Sequence, residues 1–282
     1  MKIWTLLFAL LFLCSCEGKK SLLDLNLYHF LYRESAPVAV ELYDSATVLN
    51  LVPATWNLKN YAISTMAELV YAPVAGDSLH IRILEFKTEM SALAFYLNSG
   101  LVQERLPVID GDSREIAMRS GPRLFVFRYG LLRNHERGEL EHYVQNFPDY
   151  RAGLPPEFLS LPIADRLPGE ASIQMKNFLG IESNFPMLVQ GFRGNDVYWN
   201  AARSWESVSE EDWKNWTFNL QKKTADIFWN ADTLFFNAGI ESRGAAMRLP
   251  DGRLVCLWGA LDSKNLLERF RKIAESVYNS PE

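Results

Sequence analysis

The chain has 282 residues, of which 48% are hydrophobic and 22% are charged, a composition typical of a globular protein with one large core or two modest ones. The formal net charge of -5 at pH 7 and the lack of a basic stripe exclude a nucleic-acid partner recruited by charge. The sequence also lacks a phosphate-binding loop, a dinucleotide fingerprint and a His-Glu-x-x-His motif, so we expect no cofactor.

The N-terminus carries a short hydrophobic stretch that ends at a cysteine. Lys2 precedes an apolar run over residues 3–13, interrupted by Thr5, which is too short to cross a hydrocarbon core of about 30 Å. Leu13 and the small residue Ser15 lie three and one positions before Cys16. Cys14 fits the same pattern poorly, because the bulky Leu13 directly precedes it. The stretch predicts a cleaved export signal.

This pattern resembles the signal peptide and lipobox of bacterial lipoproteins. The resemblance implies that residues 1–15 are removed and that the thiol of Cys16 receives a diacylglyceryl group. Two or three acyl chains, at about 0.8 kcal/mol per buried CH₂, would then anchor the protein stably. The implied location is a bacterial cell envelope, on the outer membrane if the host is Gram-negative. An ordinary signal peptide with a chance cysteine is the alternative.

Cys256 would be the one thiol left in the mature chain, because Cys14 leaves with the signal and Cys16 is acylated. It lies in an apolar run, residues 253–258, that predicts a buried strand. We therefore expect an inert thiol rather than a nucleophile.

The first part of the mature chain is predicted to fold as an α+β half. Residues 16–60 are interpreted as a short tether and an N-terminal segment, and residues 61–150 as the first half. Its predicted elements are a strand at 79–83, a helix at 92–97, hairpin strands at 115–119 and 123–129, and a helix at 138–147.

A proline-rich stretch separates this half from the next. Five prolines lie between positions 148 and 169, too many for a continuous helix or a central strand, and residues 151–170 are interpreted as a linker. The second half is assigned to residues 171–282. It is predicted to contain strands at 187–192, 196–199 and 227–237, a helix opened by a capping box at 207–210, and a helix at 263–277.

Two hairpins of the chain carry similar sequences. Each begins with Ala-Met-Arg, turns at a glycine, continues with Arg-Leu and apolar alternation, and ends at a glycine. Met118 and Gly130 are separated by 12 positions, and so are Met247 and Gly259. A helix is predicted after each hairpin, which favours an ancestral duplication over chance similarity of composition. The predicted fold class is α+β, with two related halves whose antiparallel sheets are packed by helices.

Together with the sequence Ser-Ala-Leu-Ala-Phe-Tyr at 91–96, the duplicated arrangement resembles a family of exported bacterial proteins of unknown function. The halves of that family carry an Ala-Phe-x-x-Tyr-like helix start followed by hairpins. Here Phe95 and Tyr96 are adjacent rather than spaced. The resemblance spans roughly residues 50–280, implies a two-lobed α+β body and supplies no catalytic residues.

Two groups of polar residues are candidates for chemistry. Glu139 and His142 have the spacing that places a carboxylate and an imidazole on one helical face, with His135 nearby, and these three residues are the candidate metal or haem ligands. Asp110, Asp112 and Glu115 offer paired carboxylates for acid/base hydrolysis or calcium ligation, and Asp196 is a further candidate acidic residue of a hydrolase. Solvated helix faces and turn chemistry explain the same residues without a ligand.

The second half is rich in tryptophan, whose ring can stack on sugars while its N–H donates a hydrogen bond. Trp213 and Trp216 follow core spacing on a helix. Trp199 and Trp205, with Arg203 between them, are therefore the candidate ligand patch.

These observations lead to three hypotheses. The first is a non-catalytic envelope lipoprotein, attached to the membrane through its lipid anchor, that binds a protein, glycan or small hydrophobic partner through the second half. The second is an envelope hydrolase that acts on glycan or peptide through acidic residues. The third is a metal- or haem-binding protein.

Overall fold

The computed structural model describes residues 37–74, 77–99, 114–129, 134–145, 147, 150, 156–194, 196–224, 226–239 and 242–280. The described strands form an antiparallel sheet of five strands, an antiparallel sheet of seven strands and a two-stranded ribbon, and helices pack on both large sheets. The predicted α+β class with antiparallel sheets is therefore confirmed.

The first sheet is built from two long strands and three shorter ones in the order β1-β2-β3-β5-β4. Its strands are β1 (Ala39–Asp44), β2 (Ile63–Val74), β3 (Asp77–Phe86), β4 (Arg114–Ser120) and β5 (Arg123–Tyr129). On β3, Ile83 pairs with Phe125 and Leu84 pairs with Leu124. Because side chains alternate along a strand, these two pairs supply the cores on opposite faces of the sheet.

Helices cover both faces of the first sheet. Its helices are α1 (Ser45–Leu51), α2 (Glu89–Asn98) and α3 (Asn134–Gln145). Phe95 of α2 lies against Phe86, with ring centroids 5.5 Å apart. Tyr143 of α3 contacts Phe125 edge-on from the other side, at 5.9 Å. Thr88 caps α2 by accepting a hydrogen bond from the backbone N–H of Ser91, at 3.1 Å.

The second sheet has seven strands in the order β11-β12-β13-β14-β10-β9-β6. Its strands are β6 (Arg166–Gln174), β9 (Met187–Gly194), β10 (Val197–Ser204), β11 (Ile227–Asn230), β12 (Thr233–Gly239), β13 (Ser242–Arg248) and β14 (Leu254–Gly259). The ribbon consists of β7 (Asn177–Phe178) and β8 (Ile181–Glu182).

Three helices pack on the second sheet or near it: α4 (Pro156–Leu159), α5 (Glu210–Lys223) and α6 (Ser263–Tyr278). Helix α5 buries Trp213 and Trp216 against one face, where Cys256 also lies. Helix α6 buries Phe270 and Ile273 against the other face. The buried positions of α6 recur every three or four residues, as expected of an amphipathic helix.

Five strands of the second sheet repeat the strand order of the first. The order β1-β2-β3-β5-β4 matches β6-β9-β10-β14-β13, and each sheet has helices on both faces. Arg119 Nη1 donates to Glu89 Oε1 at the start of α2, at 2.9 Å, and Arg248 Nε donates to the carbonyl of Val208, just before α5, at 2.8 Å. This common order fits the predicted duplication, whose ancestral origin stays a prediction.

The two sheets meet where α2 packs against the edge strand β6. Asn98 Nδ2 donates to the carbonyl oxygen of Ile173 at 2.7 Å, and the Ile173 N–H donates to Asn98 Oδ1 at 3.2 Å. Leu93 and Phe158 form a shared apolar cluster with Ile173 at this junction. The carboxamide of Asn98 thus takes the place of a neighbouring strand on the open side of β6.

Several element boundaries differ from the sequence-based prediction, and three of them have a clear physical reason. Strand β6 begins at Arg166, inside the range predicted as a linker, because Pro168 lies in a register shift between Arg166 and Ala171 where no ladder N–H is needed. Helix α5 is capped by Ser209, two residues beyond the predicted position. The predicted strand at 227–237 divides at a turn, where Ala231 has a φ of 51°.

Among the residues that the structure describes, no helix has both the length and the apolar content needed to cross a bilayer.

Candidate functional site

Strand β10 decides which residues of the predicted ligand patch reach the surface. Trp199 is 2% exposed and stacks on Phe192, with ring centroids 4.1 Å apart and planes 8° apart. The Arg269 guanidinium carbon lies 5.0 Å from the Trp199 ring centroid. Trp199 is therefore a core residue on the α6 face and does not present its ring to an external ligand.

Arg203 also points into the interior, on the same face as Trp199. It is 3% exposed and donates to the Ser204 carbonyl at 3.0 Å and to Ser160 Oγ at 3.2 Å. Burial lowers the pKa of Arg203, and the neighbouring charge of Arg253 lowers it further. Trp205 is partly buried in the apolar cluster between the two sheets. The structure thus presents no exposed patch made of all three residues, and a ligand contact by Trp205 alone stays a prediction.

The alternate residues of β10 face the opposite side of the sheet. Tyr198 is 43% exposed, and its hydroxyl lies 2.9 Å from Glu170 Oε2 and 3.1 Å from Asn200 Oδ1. We call these three residues, Glu170, Tyr198 and Asn200, the Tyr198 site. A tyrosine hydroxyl carries one proton and can donate it to one acceptor at a time. The Tyr198 site therefore holds one more acceptor than its phenol can serve.

Glycine at position 191 is required for this arrangement. A Cβ built on Gly191 would lie 2.9 Å from Glu170 Oε2 and 3.0 Å from the Tyr198 hydroxyl oxygen. Gly191 pairs directly with Asn200 across the β9-β10 ladder. The carboxylate and the phenol therefore meet directly above the backbone of Gly191, in space that any other side chain would fill.

The electrostatics of the site favour a neutral phenol. Partial burial raises the pKa of Tyr198, and the hydrogen bond to the Glu170 carboxylate raises it further. A charge-assisted bond to a carboxylate is stronger than a bond to an amide, so the Tyr198 hydroxyl donates its hydrogen bond to Glu170. This leaves Asn200 Oδ1 as the acceptor for an outside donor.

Two neighbouring residues widen the Tyr198 site. Trp258 on β14 pairs with Asn200, is partly buried, and contacts Phe178 edge-on at a centroid distance of 5.6 Å. Arg193 on β9 pairs with Tyr198, and its side chain is 63% exposed. The surface thus combines a carboxylate, a phenol, a carboxamide, a guanidinium and part of an indole ring.

The acidic residues proposed for a hydrolase do not form a site among the described residues. Asp110 and Asp112 lie outside the described residues. The Asp196 side chain is 98% exposed, and its Oδ1 lies 3.7 Å from Arg193 Nη2. Its position in a turn, with a φ of 61°, fits the turn chemistry of aspartate.

The first sheet has a polar group of its own, on the face that α2 covers in part. Ser78 Oγ lies 3.2 Å from His80 Nε2, and His80 Nδ1 lies 3.9 Å from Glu68 Oε1. Glu68 Oε1 accepts a hydrogen bond from Arg82 Nε at 3.2 Å. Glu68 therefore holds Arg82 rather than orienting His80, so the arrangement does not match an activated nucleophile with an oriented base.

The candidate metal ligands lie on or near helix α3. Glu139 and His142 are both exposed, while His135 has a side chain outside the described set. Within the described part of the chain, no three His, Cys, Asp or Glu side chains are grouped closely enough to hold a metal ion.

The two cysteines of interest have different positions. Cys16, the predicted lipidation residue, lies outside the described residues. Cys256 is buried on β14, and burial raises the pKa of its thiol. A protonated, buried thiol is a poor nucleophile, as the sequence predicted.

Two residues of the predicted patch, Trp199 and Arg203, lie on the buried face of β10, whereas Tyr198 on the other face is exposed. Tyr198 and Trp199 are adjacent aromatic residues, and alternation alone does not say which of them faces the core. The signal that the sequence offered is Gly191 on β9, which pairs with Asn200 and leaves space above its backbone.

A scan against models of known protein families gives no match, and searches of curated proteins and of solved structures give none either.

Proposed function

We propose that the protein is a lipid-anchored, non-catalytic binding module of a bacterial cell envelope and that the Tyr198 site is its ligand-contact surface. The lipobox pattern that ends at Cys16 supports the anchoring. The observation that carries the binding role is the exposed hydrogen-bonding cluster of Glu170, Tyr198 and Asn200, in which one phenol faces two acceptors directly over Gly191.

The chemistry of the site favours binding over catalysis. Tyr198, with its raised pKa, stays protonated at neutral pH and is a weak nucleophile. Glu170 is engaged with Tyr198. Neither group is an activated nucleophile, whereas hydrogen-bonding groups beside a partly exposed aromatic ring are the usual components of a ligand contact.

The anchoring is tested by the intact mass of protein extracted from membranes. The wild-type chain is expected to lack residues 1–15 and to carry added acyl mass on Cys16, whereas Cys16→Ala is expected to lack acyl mass. Cys14→Ala is the matched control and should mature as the wild type does. An acylated Cys16→Ala protein, or a wild-type protein without acyl mass, would contradict the anchoring.

The binding role is tested by photo-crosslinking in intact cells of the host. A photoreactive amino acid at position 172, a partly exposed position of β6 on the same face as Tyr198, is compared with the same amino acid at position 278, an exposed position on α6 on the opposite face. We expect an adduct at position 172 that disappears in the Asn200→Ala background. No adduct at position 172, or equal adducts at both positions, would reject the role of the site.

A further inference from the structure

The donors and acceptors of the Tyr198 site indicate which chemical group on a ligand can bind there. Asn200 Oδ1 can accept a hydrogen bond from a ligand, since the Tyr198 hydroxyl donates to Glu170. Arg193, which pairs with Tyr198 across the ladder, offers N–H donors that need acceptors. A hydroxyl group is both donor and acceptor, so neighbouring hydroxyls on one ligand can serve both demands.

The charges around the site disfavour strongly ionic ligands. An anion that approaches Arg193 also meets the carboxylates of Glu170 and Asp196, and the Arg193 side chain is already 3.7 Å from Asp196. A cation that approaches Glu170 meets the guanidinium of Arg193. Since both signs lie within one small surface, an uncharged ligand avoids either repulsion.

A purely apolar ligand is also disfavoured. It would cover the phenol, the carboxamide and the carboxylate without returning hydrogen bonds, and each buried, unpaired polar group costs free energy. The partly exposed ring of Trp258 nevertheless offers an apolar surface next to Asn200. A ligand that has C–H faces and several hydroxyls satisfies both parts of the surface.

From these features we infer that the Tyr198 site binds an uncharged carbohydrate, with ligand hydroxyls at Asn200 and Arg193 and a sugar-ring face against Trp258. This inference rests on the proposed binding function and names its ligand class. Sugar hydroxyls are donors and acceptors at fixed spacing, and a site built to hydrogen-bond a hydroxyl rejects analogues that lack it.

The test uses the full-length lipoprotein in a detergent without a sugar headgroup. The probes are neutral oligosaccharides of defined structure, N-acetylglucosamine tetramer and maltotetraose, titrated by saturation-transfer NMR. At least one of the two is expected to bind saturably. Asn200→Ala, which removes the acceptor, and Tyr198→Phe, which removes the phenolic hydroxyl, are each expected to weaken binding by about fivefold or more.

Tyr278→Phe is the matched control, because Tyr278 is an exposed tyrosine on α6 and should leave the affinity unchanged. Thermal unfolding of each variant shows whether it is folded, and if one site variant unfolds, the other decides the result. Saccharide binding that survives both site substitutions in folded protein would overturn the inference, and so would a failure of both probes to bind.

The crosslinking experiment separates this inference from the proposed function. An adduct at position 172 with a polypeptide, together with no saccharide binding, supports the binding module and overturns the carbohydrate ligand. An absence of both the adduct and saccharide binding overturns both.

Discussion

At the scale of single residues, side-chain direction along one strand separates the core from the surface. Trp199, Ala201 and Arg203 are buried, whereas Tyr198 and Asn200 reach the other face with part of their surface exposed. Because Tyr198 and Trp199 are adjacent and both aromatic, the sequence pattern does not show which of them faces the core. The choice depends on partners far along the chain, such as Phe192 and Arg269 around Trp199.

Gly259 is a position where a side chain cannot be accommodated. A Cβ there would lie 2.6 Å from Trp199 Cα and 2.7 Å from the Tyr198 carbonyl oxygen, and backbone atoms cannot move aside cheaply. We predict that Gly259→Ala lowers the free energy of unfolding by at least about 2 kcal/mol, measured by chemical denaturation.

The control for this prediction is Gly138→Ala on helix α3. Nothing lies within 4 Å of a Cβ at Gly138, and alanine is favoured over glycine in a helix, so this change should stabilise by about 0.5–1 kcal/mol. Equal effects of the two substitutions would show that β14 and β10 are not packed as closely as described.

Cys256 gives a second prediction at this scale. Burial raises the pKa of its thiol, so little thiolate is present and reagents have no direct access. In a Cys14→Ala/Cys16→Ala protein, where Cys256 is the remaining thiol of the three, a disulfide reagent should react slowly in buffer and rapidly in denaturant. Fast labelling of the native protein would place Cys256 at the surface, and the triple-alanine protein supplies the blank.

At the scale of elements, the joint between the sheets depends on one carboxamide. Asn98 binds both backbone groups of Ile173, and its Nδ2 also lies 3.1 Å from the Tyr61 hydroxyl. Because β6 is an edge strand, these bonds occupy groups that no other strand of the sheet reaches.

We predict that Asn98→Ala lowers the free energy of unfolding by about 1–3 kcal/mol, since it leaves a partly buried N–H and carbonyl without their partner. Asn50→Ala is the matched control. Asn50 makes one exposed hydrogen bond to the Ala46 carbonyl at 3.3 Å, and its loss should cost no more than about 0.5 kcal/mol. If urea denaturation gives the same value for both variants, Asn98 does not join the sheets.

Periodicity was sufficient to predict several elements and insufficient for others. Alternation predicted β3 and the β4-β5 hairpin, and apolar spacing predicted α6, because in each case local pattern and tertiary burial agree. The start of β6 was not predicted because it contains Pro168. The strand tolerates this proline because the hydrogen-bond ladder between β6 and β9 is interrupted there. Register shifts of this kind have no local signature.

At the scale of the whole molecule, four carboxylates make the stability of the fold depend on pH. Backbone N–H groups at helix starts lower the pKa of Asp44 and Asp262, and hydrogen bonds from Ser209 and Asn184 lower the pKa of Asp212. Burial raises the pKa of Asp251, but hydrogen bonds from Arg253 outweigh it, so that this pKa is also lowered. All four groups bind protons less readily in the folded state than in the unfolded state.

The sign of the effect follows from linkage. A lowered folded-state pKa stabilises the fold above the unfolded-state value of about 4, and this stabilisation is lost as the pH falls through the folded-state value. We predict that the contribution of these four carboxylates to the free energy of unfolding is constant between pH 6 and pH 7. Below about pH 4 this contribution falls steadily. Denaturation at a series of pH values measures it.

Asp251→Asn tests the assignment of part of this response. Its free energy of unfolding should be below that of the wild type at pH 7, and the difference should shrink as the pH falls toward 3, where the wild-type carboxylate becomes protonated. A difference that stays constant over this range would assign the effect of Asp251 to packing rather than charge.

The strand order of the whole molecule could be anticipated only in part. The similar hairpins at 117–130 and 246–259 suggested related halves, and the sheets do share an order over five strands. The hairpin of β11 and β12 extends the second sheet beyond the shared five strands. The sequence contains no pattern that predicted this extension.

Strand β1 has a mechanical consequence for a protein held at its amino end. The described chain enters the fold through this edge strand, which pairs with β2 from Ala39 opposite Val70 to Asp44 opposite Thr65. Hydrogen bonds in an antiparallel ladder run perpendicular to the strands, so a pull along β1 loads the whole ladder in shear, whereas a sideways pull opens it one pair at a time. Under the proposed anchoring at Cys16, the direction of the pull relative to β1 would therefore set the force that the first sheet withstands.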